Sequence, residues 1–171
     1  MDTEPEVSEI QGHRTYTGMT SEGEAAVGRI AIWAARVEQN LVRLCVRLIN
    51  SDDHRIGYAV TANMGASAVI ELAKKLVTGS TSTSDEDRAD ILAMLMDARA
   101  VLVQRNQILH ASVSEIRFGD KPSFIRRKKG PGDDGQDPFW DWTSRGLDEL
   151  DQIGAQLFNV SEDLEARLEF G

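Results

Sequence analysis

The stretch Ser84–His110, SDEDRADILAMLMDARAVLVQRNQILH, decides the fold that we expect for this chain. Apolar residues recur along it at alternating steps of four and three, which places their side chains on one face of an α-helix. These residues are Ile91, Leu95, Ala98, Leu102 and Leu109. Ser84 is a favoured N-cap residue, and the acidic residues that follow it suit the positive end of the helix macrodipole. We therefore predict a long amphipathic helix that begins at Ser84.

Arg105 lies on the same apolar line and does not fit it. Its guanidinium must have a partner or reach a cleft, because burying an unpaired charge costs several kcal/mol. Asn106 and His110 are one turn apart, whereas Arg105 and His110 diverge by roughly 140° around an ideal helix. Two geometries could bring these two side chains together. Either the helix ends just before His110, or a second copy of the chain supplies the facing residue across a two-fold axis.

Three further segments carry helical periodicity. The first helix should run from about Ser21 to Ile49, and the second from Thr61, as N-cap, to Val77. The segment His54–Val60 is too short to assign. The last helix should run from about Thr143 to Phe170, and we interpret its strongly acidic surface as a solvated face. Together with the helix from Ser84, these segments predict an all-α, antiparallel up-down four-helix bundle.

The segment between the third and fourth helices has a different pattern. Val113–Phe118 and the residues around Phe124 fit two short strands joined by a turn at Gly119–Pro122, so we expect a possible β-hairpin here. Residues 130–138 are too rich in Gly, Pro and Asp for regular structure. The aromatic run Phe139–Trp142 could stack on bases, but we favour its use as a loop anchor. We expect residues 1–19 to form a disordered tail and residues 20–171 one domain.

The composition limits the classes of function. A formal net charge of -9 disfavours indiscriminate binding to nucleic acid, which depends on contacts from Lys and Arg to phosphate. One local exception is the basic run Arg126, Arg127, Lys128 and Lys129. It could contact the backbone of RNA, or it could be a solvated cluster that prevents pairing at a strand edge. The sequence leaves both alternatives open.

Cysteine and histidine are too scarce for a structural metal centre. Cys45 has no second cysteine to pair with, and the three histidines are scattered, so we expect no metal and no cofactor. The first residues, MDTEPEVSEI, lack a basic start and an apolar core, which argues against a secretory signal. No apolar run approaches the roughly 20 residues that cross a bilayer. We expect a cytoplasmic protein with no membrane partner.

Arg105, Asn106 and His110 form the one constellation with catalytic potential. A non-catalytic alternative exists, because an arginine and a histidine in the last turns of a helix complement its macrodipole and can bond its last carbonyls. The string RNQILH, however, resembles the signature of the HEPN superfamily, an arginine and a histidine separated by four to six residues. In that superfamily a polar residue, often Asn, follows the arginine. The motif also lies late in a long helix of an all-α bundle.

The resemblance implies a metal-independent endoribonuclease, commonly a homodimer whose two motifs meet in a cleft. The residue types suit such chemistry. His110 can take a proton from a ribose 2′-OH or give one to the leaving oxygen, and Arg105 can hold the scissile phosphate. Asn106 would orient the imidazole or bind phosphate. The implied setting is toxin–antitoxin or antiviral defence, with RNA as substrate and an antitoxin protein as a possible partner.

Two alternatives remain from the sequence. The chain could be a HEPN-like module without catalysis that binds RNA, nucleotide or a partner protein. It could also be a dimeric helical scaffold in which Arg105 is structural. In a scaffold, replacing Arg105 should lower the thermal stability, whereas a catalytic arginine in a wet cleft can be removed at little cost.

Overall fold

The computed structural model describes residues 19–50, 52–118, 121–127 and 140–170. Its five helices and three strands follow one another in this order: α1 (Ser21–Ile49), α2 (His54–Thr61), α3 (Ala66–Gly79), α4 (Asp85–Leu109), β1 (Ser112–Phe118), β2 (Lys121–Arg127), β3 (Trp140–Ser144) and α5 (Leu147–Phe170). The protein is therefore mostly helical, as the periodicity predicts, with a small antiparallel sheet of order β1-β2-β3 inserted before the last helix.

Side-chain caps fix where two of the long helices begin. The Ser84 hydroxyl accepts a hydrogen bond from the Asp87 backbone N–H at 3.0 Å, so the predicted cap of α4 is confirmed. At α1 the cap is Thr20, whose hydroxyl accepts from the Gly23 N–H at 3.1 Å. Ser21, from which we expected the helix to run, is the first helical residue. Met19, expected in the tail, is buried in the core.

The prediction of Thr61 as an N-cap was wrong. Thr61 is the last residue of α2, where its hydroxyl donates to the Gly57 carbonyl at 2.9 Å, and Gly65 precedes α3. Gly57 allows α2 to lie directly on α1, because a Cβ at this position would be 2.7 Å from the Val46 Cα. The segment that the sequence left unassigned is thus a short helix that contacts α1.

Contacts between helices establish their relative directions. Arg29 pairs with Asp151 near the start of α1 and α5, and Asn40 donates to the Ser161 carbonyl at 3.2 Å further along both helices. The residue numbers of the two partners increase together from the first contact to the second, so α1 and α5 run in the same direction.

Helix α4 runs the opposite way. Asp87, at its start, pairs with Arg167 near the end of α5, whereas Gln107, at its end, accepts a hydrogen bond from Arg145, which precedes α5. Helix α4 also runs opposite to α3. Arg99 of α4 pairs with Glu71 of α3, whereas Arg88, nearer the start of α4, donates to the carbonyl of Val77, nearer the end of α3.

The predicted up-down four-helix bundle is not confirmed. Helices α1, α3 and α5 share one direction and α4 opposes them, whereas an up-down arrangement of four helices would alternate. The physical reason is α2, a short helix between α1 and α3 that the periodicity did not predict. Periodicity identifies amphipathic segments, but it does not determine the direction in which each one runs.

The insertion between α4 and α5 is a three-stranded sheet rather than a hairpin alone. The predicted pairing of two strands is confirmed, with Val113 opposite Phe124. The sequence missed β3, in which Thr143 lies opposite Phe124, so the last helix begins at Leu147 and not at Thr143. The Phe124 side chain is 1% exposed and joins the main core, which attaches the sheet to the helices.

The core follows the predicted apolar lines of the long helices. In α1 it includes Ile30, Val37 and Leu41, and in α4 it includes Leu95 and Leu102. Within the described ranges, no helix is long and apolar enough to cross a membrane.

Candidate functional site

The end of α4 has the first of the two geometries that the sequence allows. The helix stops at Leu109, and His110 is its C-cap with φ −103° and ψ 14°. The N–H of Ala111 donates to the Ile108 carbonyl at 3.2 Å, which closes the last turn. His110 is exposed at this point. Its imidazole can therefore reach solvent or a second molecule.

Arg105 forms an ion pair within its own chain. Its Nη2 donates to a carboxylate oxygen of Glu38, which α1 supplies, and its side chain is only 11% exposed. Burial lowers the pKa of Arg105 below its ordinary value, because a low-dielectric surrounding disfavours the charged form. The Glu38 side chain, 41% exposed, remains partly hydrated. An ion pair with Glu38 of α1 thus compensates the charge that Arg105 places on the apolar face of α4.

The same guanidinium connects to the motif's second residue. Its Nη1 donates to the Asn106 Oδ1 at 2.9 Å, while its Nε is buried without a hydrogen-bond partner in the described part of the chain. An unmet buried donor costs about 1–3 kcal/mol, so this Nε–H reduces the stability that the Arg105 side chain contributes. Of the three predicted catalytic residues, the structure thus brings Arg105 and Asn106 together. Within the described ranges no hydrogen bond joins either of them to the His110 side chain.

A second arginine near the end of α4 escaped the sequence analysis. Arg145 donates to the Gln107 Oε1 and to the Glu149 carboxylate, each at 3.4 Å, and its Nε is buried without a partner among the described residues. The Gly146 N–H and then the Lys121 ammonium hold the pKa of Glu149 at about 2. Arg145 lies between β3 and α5, in a stretch that the sequence assigned to a helix, so no periodic signal pointed to it.

Glu38 also escaped the sequence analysis, although one signal could have found it. It lies four residues after Ala34 and three before Leu41, both of which belong to the apolar line of α1. A carboxylate beside one buried face and a guanidinium on another are natural partners when the two faces pack. The two charged residues on apolar faces, Glu38 and Arg105, could therefore have been predicted to form an ion pair.

The predicted RNA-binding residues fall at the edge of what the structure describes. The backbones of Arg126 and Arg127 are in β2, opposite Asp141 and Trp140 of β3. Lys128 and Lys129 lie outside the described residues, as does Phe139 of the aromatic run. The alternatives for this basic segment therefore stay predictions.

Other candidate chemistry is limited. Across residues 19–50, 52–118, 121–127 and 140–170, no three His, Cys, Asp or Glu side chains gather as a metal site would require. The Cys45 thiol donates to the Val69 carbonyl at 3.3 Å, and burial raises its pKa to about 11, which makes it a poor nucleophile. Comparison of the chain with protein-family models, curated proteins and solved structures finds no match.

Proposed function

We propose that this protein is a metal-independent endoribonuclease of HEPN type, with Arg105, Asn106 and His110 as its catalytic residues. The observation that supports this most directly is the contact between Arg105 and Asn106 one turn before the exposed His110.

Each residue has a role that matches its chemistry. His110 removes the proton of a ribose 2′-OH, whose oxygen then attacks the adjacent phosphorus while the bond to the 5′-oxygen breaks, and the leaving 5′-oxygen takes a proton from water. Arg105 binds the phosphate through the Nη protons that Glu38 and Asn106 leave unused, and it stabilises the charge that develops there. Asn106 orients the phosphate or the imidazole. The products are a 2′,3′-cyclic phosphate and a 5′-hydroxyl, so DNA is not cut.

The proposal includes a homodimer through the motif face. Met96 and Val103 on α4 are 64% and 52% exposed, and they lie two turns apart on the same helix as the motif. A second copy would pack on this line, which continues seven residues further to His110, so that the two copies meet along the face that carries the imidazole. The basic run from Arg126 to Lys129 would guide the RNA backbone to the cleft. Such an enzyme fits toxin–antitoxin or antiviral defence, in which an antitoxin protein would restrain it.

A specific observation favours a second candidate function. Because Glu38 neutralises Arg105 within the same chain, the guanidinium attracts a phosphate less strongly than a free one would. A HEPN-like module without catalysis, which binds RNA, nucleotide or a partner protein, would tolerate this ion pair. Its binding would survive the loss of His110.

The test is cleavage of single-stranded RNA by the purified protein in EDTA, with His110→Ala and Arg105→Ala as variants. We expect both substitutions to abolish cleavage. Arg29→Gln, which removes one exposed charge from α1, is the matched control and should cut like the parent. If both variants cut as well as the parent, the catalytic assignment is wrong. Binding without turnover that persists in both variants would support the second candidate.

A further inference from the structure

A cavity of about 300 Å³ lies where α1, α2 and α5 meet. None of the residues proposed for catalysis lines it. Its walls are formed by two arginines, a histidine, a tyrosine and two aliphatic side chains: Arg43, Val46, Arg47, His54, Tyr58 and Leu168. The cavity is thus basic and partly aromatic, on a chain whose formal net charge is -9.

The two arginines of this cavity differ from the others that the structure describes. Arg43 donates only to the neutral amide oxygen of Asn40, at 3.3 Å, and no carboxylate in the described ranges pairs with Arg43 or Arg47. Every other arginine with a described side chain has a carboxylate partner. These paired arginines are Arg29, Arg36, Arg55, Arg88, Arg99, Arg105, Arg145 and Arg167.

The nearby acidic residue does not compete for these guanidiniums. Asp53, which immediately precedes His54, accepts hydrogen bonds from the Arg55 side chain and from the Arg55 backbone N–H. These bonds lower the pKa of Asp53 and keep it occupied as the N-cap of α2. Arg43 and Arg47, one helical turn apart, therefore present their donors to the cavity without an acidic partner.

Two guanidiniums one turn apart match the oxygen atoms of a phosphate group, which arginine binds through paired hydrogen bonds. The rest of the cavity suits a less polar body, because Tyr58 offers a ring and Leu168 an aliphatic wall. Ligand pockets span about 300–1,000 Å³, and this one is at the lower limit. The size therefore favours a small molecule.

We propose that this cavity binds a small phosphomonoester, whose phosphate contacts Arg43 and Arg47 and whose flat or apolar body lies against Tyr58. The site is separate from the motif of α4, and it does not depend on RNA cleavage. A protein that cuts no RNA would still bind such a ligand here.

The experiment is calorimetric titration of the full chain with phenyl phosphate and, in parallel, with inorganic phosphate, both at about 0.15 M salt to screen long-range attraction. Phenyl phosphate should bind more tightly than inorganic phosphate. Arg43→Gln and Arg47→Gln should each weaken phenyl phosphate by about tenfold, the loss expected for one charge-assisted hydrogen bond. Tyr58→Ala should reduce the advantage of phenyl phosphate over inorganic phosphate.

Arg29→Gln is the matched control, because it removes the same charge from the same helix at a position outside the cavity. It should leave both affinities unchanged. The proposal is overturned if neither compound binds at millimolar concentration. It is equally overturned if binding survives the double variant Arg43→Gln/Arg47→Gln, or if the control weakens binding as much as the cavity variants do.

Discussion

Two arginine environments in this protein lead to opposite expectations. Arg105 is nearly buried between α1 and α4 and is paired with Glu38 of its own chain. Arg43 and Arg47 line an open cavity and have no carboxylate partner within the described residues. Arg105 therefore contributes to the packing of α1 against α4 in addition to its proposed catalytic role, whereas Arg43 and Arg47 have no such structural partner. A buried guanidinium without a partner destabilises the folded protein, whereas an exposed guanidinium does not need a partner because water solvates it.

Helix α1 contributes to both environments. It supplies Glu38 to the end of α4, and five and nine residues further along it supplies Arg43 and Arg47 to the cavity. Substitutions in and around this helix can therefore separate effects on folding from effects on binding.

The largest expected effect comes from Glu38→Ala, which leaves Arg105 buried and unpaired. We expect the free energy of unfolding to fall by about 2 kcal/mol, less than for a fully buried pair because Glu38 is partly hydrated. Urea unfolding measures this loss. Glu165→Ala, which breaks the more exposed pair with Arg36, is the control and should cost less than about 1 kcal/mol. Equal losses in the two variants would show that the buried pair has no special weight.

A smaller effect is expected from Arg105→Met. Methionine keeps much of the apolar stem and removes the charge, and the remaining Glu38 can be hydrated. The loss should be about 1 kcal/mol or less by the same urea measurement. If Arg105→Met destabilises the protein as much as Glu38→Ala does, the cost comes from lost packing and not from an unpaired buried charge.

The carboxylate of Glu149, which accepts hydrogen bonds from the Gly146 N–H and then from Lys121 and Arg145, can be tested by pH. The pKa of Glu149 is about 2 in the folded protein and lies below its ordinary value of 4.5. Its carboxylate therefore stabilises the fold fully above pH 4.5, and this contribution is lost as pH falls through about 2. Unfolding at a series of pH values should show the parent more stable than Glu149→Gln at pH 6, with the difference shrinking toward pH 2. If the difference in stability between the parent and Glu149→Gln did not depend on pH, the lowered pKa of Glu149 in the folded protein would be contradicted.

The smallest effect is expected from Arg43→Gln and Arg47→Gln. Neither removes an ion pair within the described chain, so each should change the free energy of unfolding by less than about 0.5 kcal/mol. Thermal and urea unfolding provide the check. A loss comparable to that of Glu38→Ala would mean that these arginines serve the fold, which would remove the contrast with Arg105.

Sequence periodicity predicted the long helices because each buries one continuous stripe. The bounds of α1 and the start of α4 follow from such stripes and from a side-chain cap. Periodicity could not predict α2, because the position of this helix depends on the close approach of Gly57 to Val46. It also missed β3, because a strand of five residues beside a long helical pattern carries too little periodic signal.

The candidate site was predictable only in part. The anomaly of Arg105 was visible in the sequence, as was the possibility that the helix ends at His110. The identity of its partner was not, because Glu38 is distant in the chain and the pair depends on how α1 and α4 pack. The cavity around Arg43 and Arg47 was invisible for the same reason, since it forms only where three helices meet.

The most direct test of the proposed function is product analysis of RNA incubated in EDTA with the parent and with His110→Ala, purified in the same way. We expect the parent to produce fragments that end in a 2′,3′-cyclic phosphate. We expect the variant to cleave RNA at least about 100-fold more slowly, the usual contribution of a general acid or base. Equal cleavage by the two proteins, or none by the parent, would contradict the assignment of His110 as a catalytic residue.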